Sequence, residues 1–493
     1  MIQTYRKNSG AGCCKAGAMF RRVRYNLLTY PGAGWIAFLI TLFLWALSVP
    51  YLRQAPSGVV PVPDTKEVRL QRIAAEKAFR RNTETMYDIR YNSSEYSYSF
   101  PVEDTCFFTR KLSKSDMPTI HSIFSNPASQ SVVFVGVRFL RDNWAEDKFI
   151  CEFENGERTQ SDPIVNDYRS FGYLAQYVFV LTCPLPEIYI GRTNFTMSFY
   201  KVTWRPKWYM FAYANLTVCR AGSWPLTKKH FLSVCTMVKD MDDFLPDWLD
   251  YHRFMGVEHA YIYDNAVEKM SLLRETVKEY VDSGFVTVIP WSHRPSEEKS
   301  YLEVQIAHEN DCLWRHRYDT HWMMKIDVDE YVQPMNPANP KIPNFLRDPR
   351  LNKLGAIRLQ NWFFGRPNTS EVLEGSIMER NRWRPSEPTL QNTGRDKNIL
   401  RPINVHYFKI HAIKLGGETK SINPETEMRL VHYRGDNPRV RHFDLPEFDV
   451  LDESMVNIWK QIKKAKMKTL LEAASETDNE NIIKFFEDDV KSP

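Results

Sequence analysis

The chain is predicted to fold as an α/β protein. A Rossmann-like, mostly parallel sheet is preceded by a β-sandwich module and an N-terminal transmembrane helix. Three observations carry this expectation. From Lys229 onward, short apolar runs alternate with segments of helical periodicity, the pattern of a parallel sheet covered by helices. Before that, residues 91–220 hold β-branched and aromatic runs separated by turn residues. Near the start, residues 32–52 carry no charge at all.

That uncharged stretch is long enough to cross a bilayer, and Trp35 and Tyr51 sit near its ends, where interfacial aromatics lie. Residues 1–30 carry Arg6, Lys7, Lys15, Arg21, Arg22 and Arg24 and no acid. A positive N-terminal flank keeps the N-terminus cytoplasmic, so the segment reads as a type II anchor with the bulk of the chain lumenal. A cleaved signal peptide would have a shorter apolar core and a small-residue cleavage site, which is not evident. With a net charge of +5, the chain beyond the basic head is close to neutral, without the basic face of a nucleic-acid binder. Residues 53–90, with Pro56, Pro61 and Pro63 ahead of a charged, helix-prone run, read as a stem. Cys106, Cys151, Cys183, Cys219, Cys235 and Cys312 would then face an oxidising lumen, and six cysteines allow fifteen pairings. Sequons at Asn92, Asn194, Asn215 and Asn368 agree with a secretory address.

The strand-like runs of the β-rich part are 131–137, 149–153, 177–182 and 195–200, with Cys151 and Cys183 placed to bridge two sheets. The α/β part reads as strand 231–238, helix 242–254, strand 259–263, helix 270–281, strand 285–289 and helix 297–318. A last apolar run, Trp322-Met323-Met324, leads into Lys325-Ile326-Asp327-Val328-Asp329-Glu330-Tyr331. Strand side chains alternate, so Asp327 and Asp329 are expected on one face, about 7 Å apart. Two carboxylates that close repel unless a cation joins them, and a hard divalent ion that also takes phosphate oxygens would serve. Ligands of such sheets bind beyond the carboxyl ends of the strands, where Lys239, Asp240 and Asp264 also fall. There is no P-loop and no Gly-x-Gly-x-x-Gly, which leaves the phosphates to a metal and to basic side chains.

Several segments taken in order resemble glycosyltransferase family 92. They are residues 233–240, 244–252, Gly256-Val257, 261–265, Glu303-Val304-Gln305, 310–313, the Asp-Val-Asp-Glu-Tyr segment and His432-Tyr433-Arg434. The resemblance implies a GT-A fold in a single-pass Golgi enzyme that uses a nucleotide sugar and Mn²⁺ and inverts the anomeric carbon. The β-rich part resembles the accessory carbohydrate-binding module of plant β-1,4-galactan synthases, through residues 148–152, Asn155-Gly156 and 177–183. The expected layout is a cytoplasmic tail 1–31, anchor 32–52, stem 53–90, accessory domain 91–225, catalytic domain 226–450 and helical segment 451–493. By family analogy the donor is UDP-galactose and the acceptor a β-1,4-galactan-like glycan, with a second copy of the chain as a further candidate partner. The rival expectation is a catalytically inactive, membrane-anchored glycan-binding protein with a transferase fold.

The resemblance also assigns roles. Asp327, Asp329 and His432 are the expected metal ligands, with His411 competing for the histidine position. Lys239, Asp240, Asp264, Gln305, Asn310, Asp327 and Lys397 are the expected nucleotide-sugar contacts. Lys397 belongs to a basic group with Arg401, Lys409 and Lys414 that could neutralise a diphosphate. An inverting transfer needs a general base, and Glu374 and Glu379 are the candidates.

Overall fold

The structure is a computed structural model that describes residues 118–139, 148–165, 176–202, 209–222, 228–266, 271–293, 302–367, 374–389, 395–433 and 446–476. The expected anchor, the stem, Asn92 and Asn368 lie outside them. Among the described residues no helix is long and apolar enough to cross a membrane. All of them belong to one compact unit, Asp88–Pro493.

The β-rich part has eight strands: β1 (Thr119–Asn126), β2 (Ser131–Phe139), β3 (Lys148–Phe153), β4 (Arg158–Gln160), β5 (Asp162–Val165), β6 (Gln176–Pro184), β7 (Asn194–Val202) and β8 (Tyr209–Arg220). They form one sheet in the order β4-β3-β7-β8-β1-β2-β6-β5, where two packed sheets were expected. The sheet doubles over on itself. Phe134 of β2 stacks on Phe199 of β7 at 4.5 Å, although two strands separate them in the sheet. Cys151 of β3 and Cys183 of β6 are joined by a disulfide across the same fold. The apolar residues that alternate along these strands therefore bury against each other, with Ile120, Ile123, Phe134, Leu181 and Phe199 at 0% exposure.

The α/β part begins with β9 (His230–Val238), α1 (Leu245–Phe254), β10 (His259–Asp264), β11 (Val286–Pro290), α2 (Leu302–His316) and β12 (Thr320–Lys325). The expected helix over 270–281 is two short turns, Leu273–Thr276 and Lys278–Asp282. They are broken at Val277, whose φ/ψ of −103°/12° leaves the helical basin. Strands β11, β10, β9 and β12 lie side by side in that order, all parallel. The chain leaves β9 to one side for β10 and returns on the other side as β12, which places a switch point between the carboxyl ends of β9 and β12.

Beyond β12 run β13 (Glu330–Pro334), β14 (Ala356–Leu359), β15 (Asn361–Phe364), the short β16 (Trp383–Arg384), β17 (Lys397–Leu400), β18 (Val405–Lys409), β19 (Ala412–Gly416), β20 (Thr419–Ser421) and β21 (Met428–Tyr433). β17 continues the main sheet antiparallel to β12, followed by β14 and β20. β13, β21 and β15 form a separate three-stranded sheet, so the chain changes sheets at Gln360, between β14 and β15. The C-terminal helix α3 (Ser454–Glu476) covers the main core through Met455, Trp459 and Ile462.

Helix α2 joins the two halves. Every residue from 306 to 316 is buried. Val304, Ile306, Ala307, Leu313 and Trp314 share one apolar cluster with Phe124, Val133 and Val180 of the doubled sheet and with Tyr261, Tyr263 and Met323 of the parallel sheet. A disulfide, Cys235–Cys312, ties α2 to β9. Asp311 and Arg315 of this helix are paired inside the protein. Asp311 accepts from Ser122 Oγ of β1, from Tyr263 OH of β10 at 2.5 Å and from Arg315 Nε at 2.9 Å. Burial alone would raise the Asp311 carboxyl, but Arg315 and the two hydroxyls outweigh it and hold it below the usual carboxylate range.

Candidate active site

The strand that delivers the two aspartates ends at Lys325, earlier than the sequence pattern predicts. Residues 326–329 are a turn. Glu330 N–H donates to Asp327 O at 3.1 Å, and Asp327 N–H donates to Glu330 Oε2 at 2.7 Å. The expectation that Asp327 and Asp329 share a strand face is therefore corrected. A turn does not alternate faces, and the Glu330 side chain closes this one. The two aspartates instead face different partners.

Asp327 faces Lys397, the first residue of β17. The Lys397 ammonium lies 2.7 Å from Asp327 Oδ2 and 3.5 Å from Glu330 Oε2. The lysine side chain is 3% exposed and the aspartate 44%, so the cation is buried beneath a carboxylate that opens to solvent. Burial would depress this lysine, but Asp327, Glu330 and Glu309 together push it up. Lys397 is thus held by carboxylates. Arg401, past the far end of β17, lies over the Trp322 ring, while Lys414 is exposed on β19. Neither Arg401 nor Lys414 is among the groups that meet Lys397 at these carboxylates.

Asp329 faces His432. Strands β13 and β21 pair antiparallel with Glu330 opposite His432, and Tyr433 N–H donates to Asp329 O at 2.9 Å. This register carries a late histidine to the aspartate. His432 Nε2 lies 3.6 Å from Asp329 Oδ2, and both side chains are below 10% exposure. His432 Nδ1 lies 3.0 Å from Asn361 Oδ1, and β15 sets Phe363 beside His432 on the other edge of β21. His411, the competing histidine, points Nδ1 at the Asp396 carbonyl at 2.7 Å. Burial first, then the Lys397 charge, lowers it to about 4.

Behind the turn sit charged residues that the sequence reading passed over. Glu330 is buried and raised to about 7, by burial above all and further by Asp327 and Asp329. Glu309 of α2 is also raised to about 7 by burial, and its Oε2 accepts from Ile410 N–H at 2.7 Å. Lys325 is lowered to about 7 by burial and donates to the Glu309 carbonyl at 3.0 Å. The acidic flank of the Asp-x-Asp motif was visible in sequence, but the pairing of α2 with the end of β12 was not.

At the ends of β9 and β10, Asp264 Oδ1 accepts from Ala266 N–H at 3.0 Å and its Oδ2 from Ser271 Oγ at 2.8 Å, so this carboxylate shapes the turn it begins. Lys239 is half-buried, and Asp240 is exposed in the left-handed region at φ 52°. Asp242, missed in the sequence, stands with them. Burial, then Asp264, Asp240 and Asp243, push it up to about 6.

Gln305 is half-buried on α2. Asn310 is fully buried, and its amide is committed to β18: Nδ2 donates to Phe408 O at 2.7 Å and Oδ1 accepts from Phe408 N–H at 3.0 Å. Asn310 therefore positions a strand and has no side-chain atom left for a sugar. Glu379 is a helix cap. Its Oε2 accepts from Ser376 N–H and Oγ, both at 3.0 Å, and Lys463 lies 2.6 Å from its Oε1. Those bonds leave it poorly suited to remove a proton. Glu374 is exposed, as are Asn194 and Asn215 on the doubled sheet.

The sequence profile of glycosyltransferase family 92 matches residues 228–481, just over half of the chain. The chain belongs to glycosyltransferase family 92. A family 92 protein of Oryza sativa subsp. japonica is 28% identical over 42% of this chain and 34% of its own length. The beta-1,4-galactosyltransferase galt-1 of Caenorhabditis elegans is 23% identical over 43% of this chain and 51% of its own. A galactan beta-1,4-galactosyltransferase of Arabidopsis thaliana is 25% identical over 45% of each. The match to these curated relatives spans a third to a half of their lengths. Among solved structures, a mannosyltransferase of Pyrobaculum calidifontis covers 45% of this chain at 14% identity with a TM-score of 0.25, which makes it no guide to the site.

Family 92 membership raises the question of a metal. Among the described residues, no group of three or more His, Cys, Asp or Glu side chains stands ready to hold one. The Asp329–His432 pair fits an ion that takes its remaining ligands from elsewhere. His432 Nδ1 lies within hydrogen-bond distance of Asn361 Oδ1, and a neutral ring protonated on Nδ1 would turn its Nε2 lone pair toward the Asp329 carboxylate. Two lone-pair donors facing each other suit a cation, and hard divalent ions commonly combine one or two protein ligands with substrate phosphates and water.

Proposed function

We propose that this family 92 chain is a metal-dependent, inverting glycosyltransferase that moves galactose from UDP-galactose to a β-linked glycan. It would act in the Golgi lumen, held by the anchor at 32–52. The single observation that carries the reading is the Asp329–His432 pair, set beyond the carboxyl ends of a parallel sheet inside the family match. Displacing a nucleoside diphosphate builds negative charge on the leaving phosphates, and Mn²⁺ bound there would stabilise it as a Lewis acid. Asp329 and His432 are the residues that would hold the ion. Asp327, oriented through Oδ2 by Lys397, keeps its exposed side for hydroxyls of the ribose or sugar. Asp264, Asp240 and Asp242 offer acceptors to the nucleoside, with Lys239 as the cation among them. Glu374 remains the candidate base.

The test is a screen of nucleotide sugars with Mn²⁺ and a galactan oligosaccharide, scored by nucleotide release and by product. UDP-galactose should be the preferred donor, and Asp329→Ala should lower turnover by about 10²-fold or more while leaving the protein folded. An Asp329→Ala protein with full activity would sink the proposal.

A further inference from the structure

Asn361 is the first residue of β15 and is fully buried where the chain changes sheets. Three bonds fix it. Its backbone N–H donates to Asp396 Oδ1 at 3.1 Å, its Nδ2 donates to Thr389 Oγ1 at 2.7 Å, and its Oδ1 lies 3.0 Å from His432 Nδ1. With the amide nitrogen turned to Thr389, the carbonyl oxygen faces the imidazole. On the same side of the ring, Glu330 Oε1 stands 3.5 Å from Nδ1. An amide oxygen only accepts hydrogen bonds, so Asn361 Oδ1 calls for a proton on Nδ1. A neutral ring protonated there has its lone pair on Nε2, the nitrogen 3.6 Å from Asp329 Oδ2.

We infer that Asn361 is a positioning residue that holds His432 in the Nδ1–H tautomer, so that Nε2 is preset as a metal ligand beside Asp329. Histidines that bind metals usually have the other ring nitrogen anchored in this way, and loss of the anchor typically costs 10- to 100-fold in metal affinity. Asn361 does this from a rigid place. Its backbone is tied to Asp396, whose neighbour Lys397 holds Asp327. The two arms of the motif are therefore braced from adjoining residues of one strand end. The inference rests on the proposed Mn²⁺–nucleotide reading of the site.

The experiment measures Mn²⁺ affinity by electron paramagnetic resonance on the detergent-solubilised full chain with saturating UDP, together with the melting temperature of the metal-free protein. Asn361→Leu, which removes the acceptor, should weaken Mn²⁺ about 10- to 100-fold. Asn361→Asp, which keeps an acceptor at the same place, should stay within about threefold of the parent. If the leucine variant does not fold, Asn361→Ser, whose shorter side chain withdraws the acceptor from Nδ1, asks the same question. A folded Asn361→Leu or Asn361→Ser protein that binds Mn²⁺ as tightly as the parent overturns the inference. So does an Asn361→Asp protein as weak as the leucine variant. His432→Ala and Asp329→Ala are measured alongside. If neither weakens Mn²⁺, the metal reading itself fails. If both do and Asn361→Leu does not, only the role of Asn361 is lost.

Discussion

Lys397 is buried beneath Asp327, with its ammonium 2.7 Å from the carboxylate of a residue that is itself 44% exposed. The first aspartate of the motif thus has a resident counter-ion within the protein. Replacing Lys397 with Met should leave Asp327 and the buried Glu330 without it, at about 1–3 kcal/mol, less than for a fully buried pair because Asp327 opens to solvent. The melting temperature of the metal-free protein should fall accordingly, and Mn²⁺ with UDP should restore part of the loss. A variant that melts like the parent in the absence of metal would show that the ion pair is not holding the turn.

Asp311 should be among the costliest single residues to remove. Asp311→Ala leaves Arg315 buried with no carboxylate and cuts the links from α2 to Ser122 and Tyr263. The expected loss is about 3–5 kcal/mol, read by chemical denaturation. For the same reason residues 226–493 expressed alone should be insoluble, because α2 would expose the face it lays against Phe124, Val133 and Val180. A soluble, cooperatively melting fragment would contradict this.

The two candidate bases should part company. Glu379→Ala should remove a helix cap at about 1 kcal/mol and keep most turnover. Glu374→Ala should keep the stability and lose turnover by about 10²-fold, the lower range for losing a general base. Equal activities of both variants and the parent would send the search for the base elsewhere.

His252 provides a pH test. It is fully buried, with Nδ1 bonded to Trp248 O at 2.8 Å and Nε2 lacking a hydrogen-bond partner, and burial lowers it from 6.5 to about 3. Between those values the unfolded chain binds the proton and the folded one does not. Its contribution is therefore complete above about pH 6.5 and is lost as pH falls toward 3. Glu309 and Glu330, raised to about 7, have the opposite slope between about 7 and the usual carboxylate range. A comparison of the parent with His252→Leu cancels them. The parent's melting temperature should fall more steeply than the variant's from pH 6.5 to 4.5, and parallel curves would refute the assignment.

Much of the α/β order was legible because β9, β10 and β12 are continuous buried runs, and the amphipathic spacing of Trp248, Leu249 and Tyr251 marks α1. The Asp-x-Asp motif and His432 could be named from their motifs. What spacing could not convey was direction. The strand preceding the motif stops at Lys325 because the Glu330 side chain caps the turn, and a side chain that caps its own turn looks in sequence like one more acid. Asn310 has the composition of a ligand contact and is consumed by Phe408, a partner close to a hundred positions away. Glu379 sits in a capping box, Ser376-x-x-Glu379, that was readable in the sequence before any catalytic role was assigned to it. The continuity of the doubled sheet was hidden for another reason. Strand pairing across an edge, such as β1 beside β8, leaves no local signature.

The burial of α2 between two sheets also sets a clock. The doubled sheet is complete in the chain by Arg220, but the helix that covers its outer face ends at His316. At a synthesis rate of about 5–20 residues per second, Phe124, Val133 and Val180 wait about 5–20 s for their cover. During that interval the doubled sheet has a finished fold and an unfinished surface. Its yield in a cell should therefore follow the supply of chaperones that shield apolar surface more closely than the stability of the finished protein.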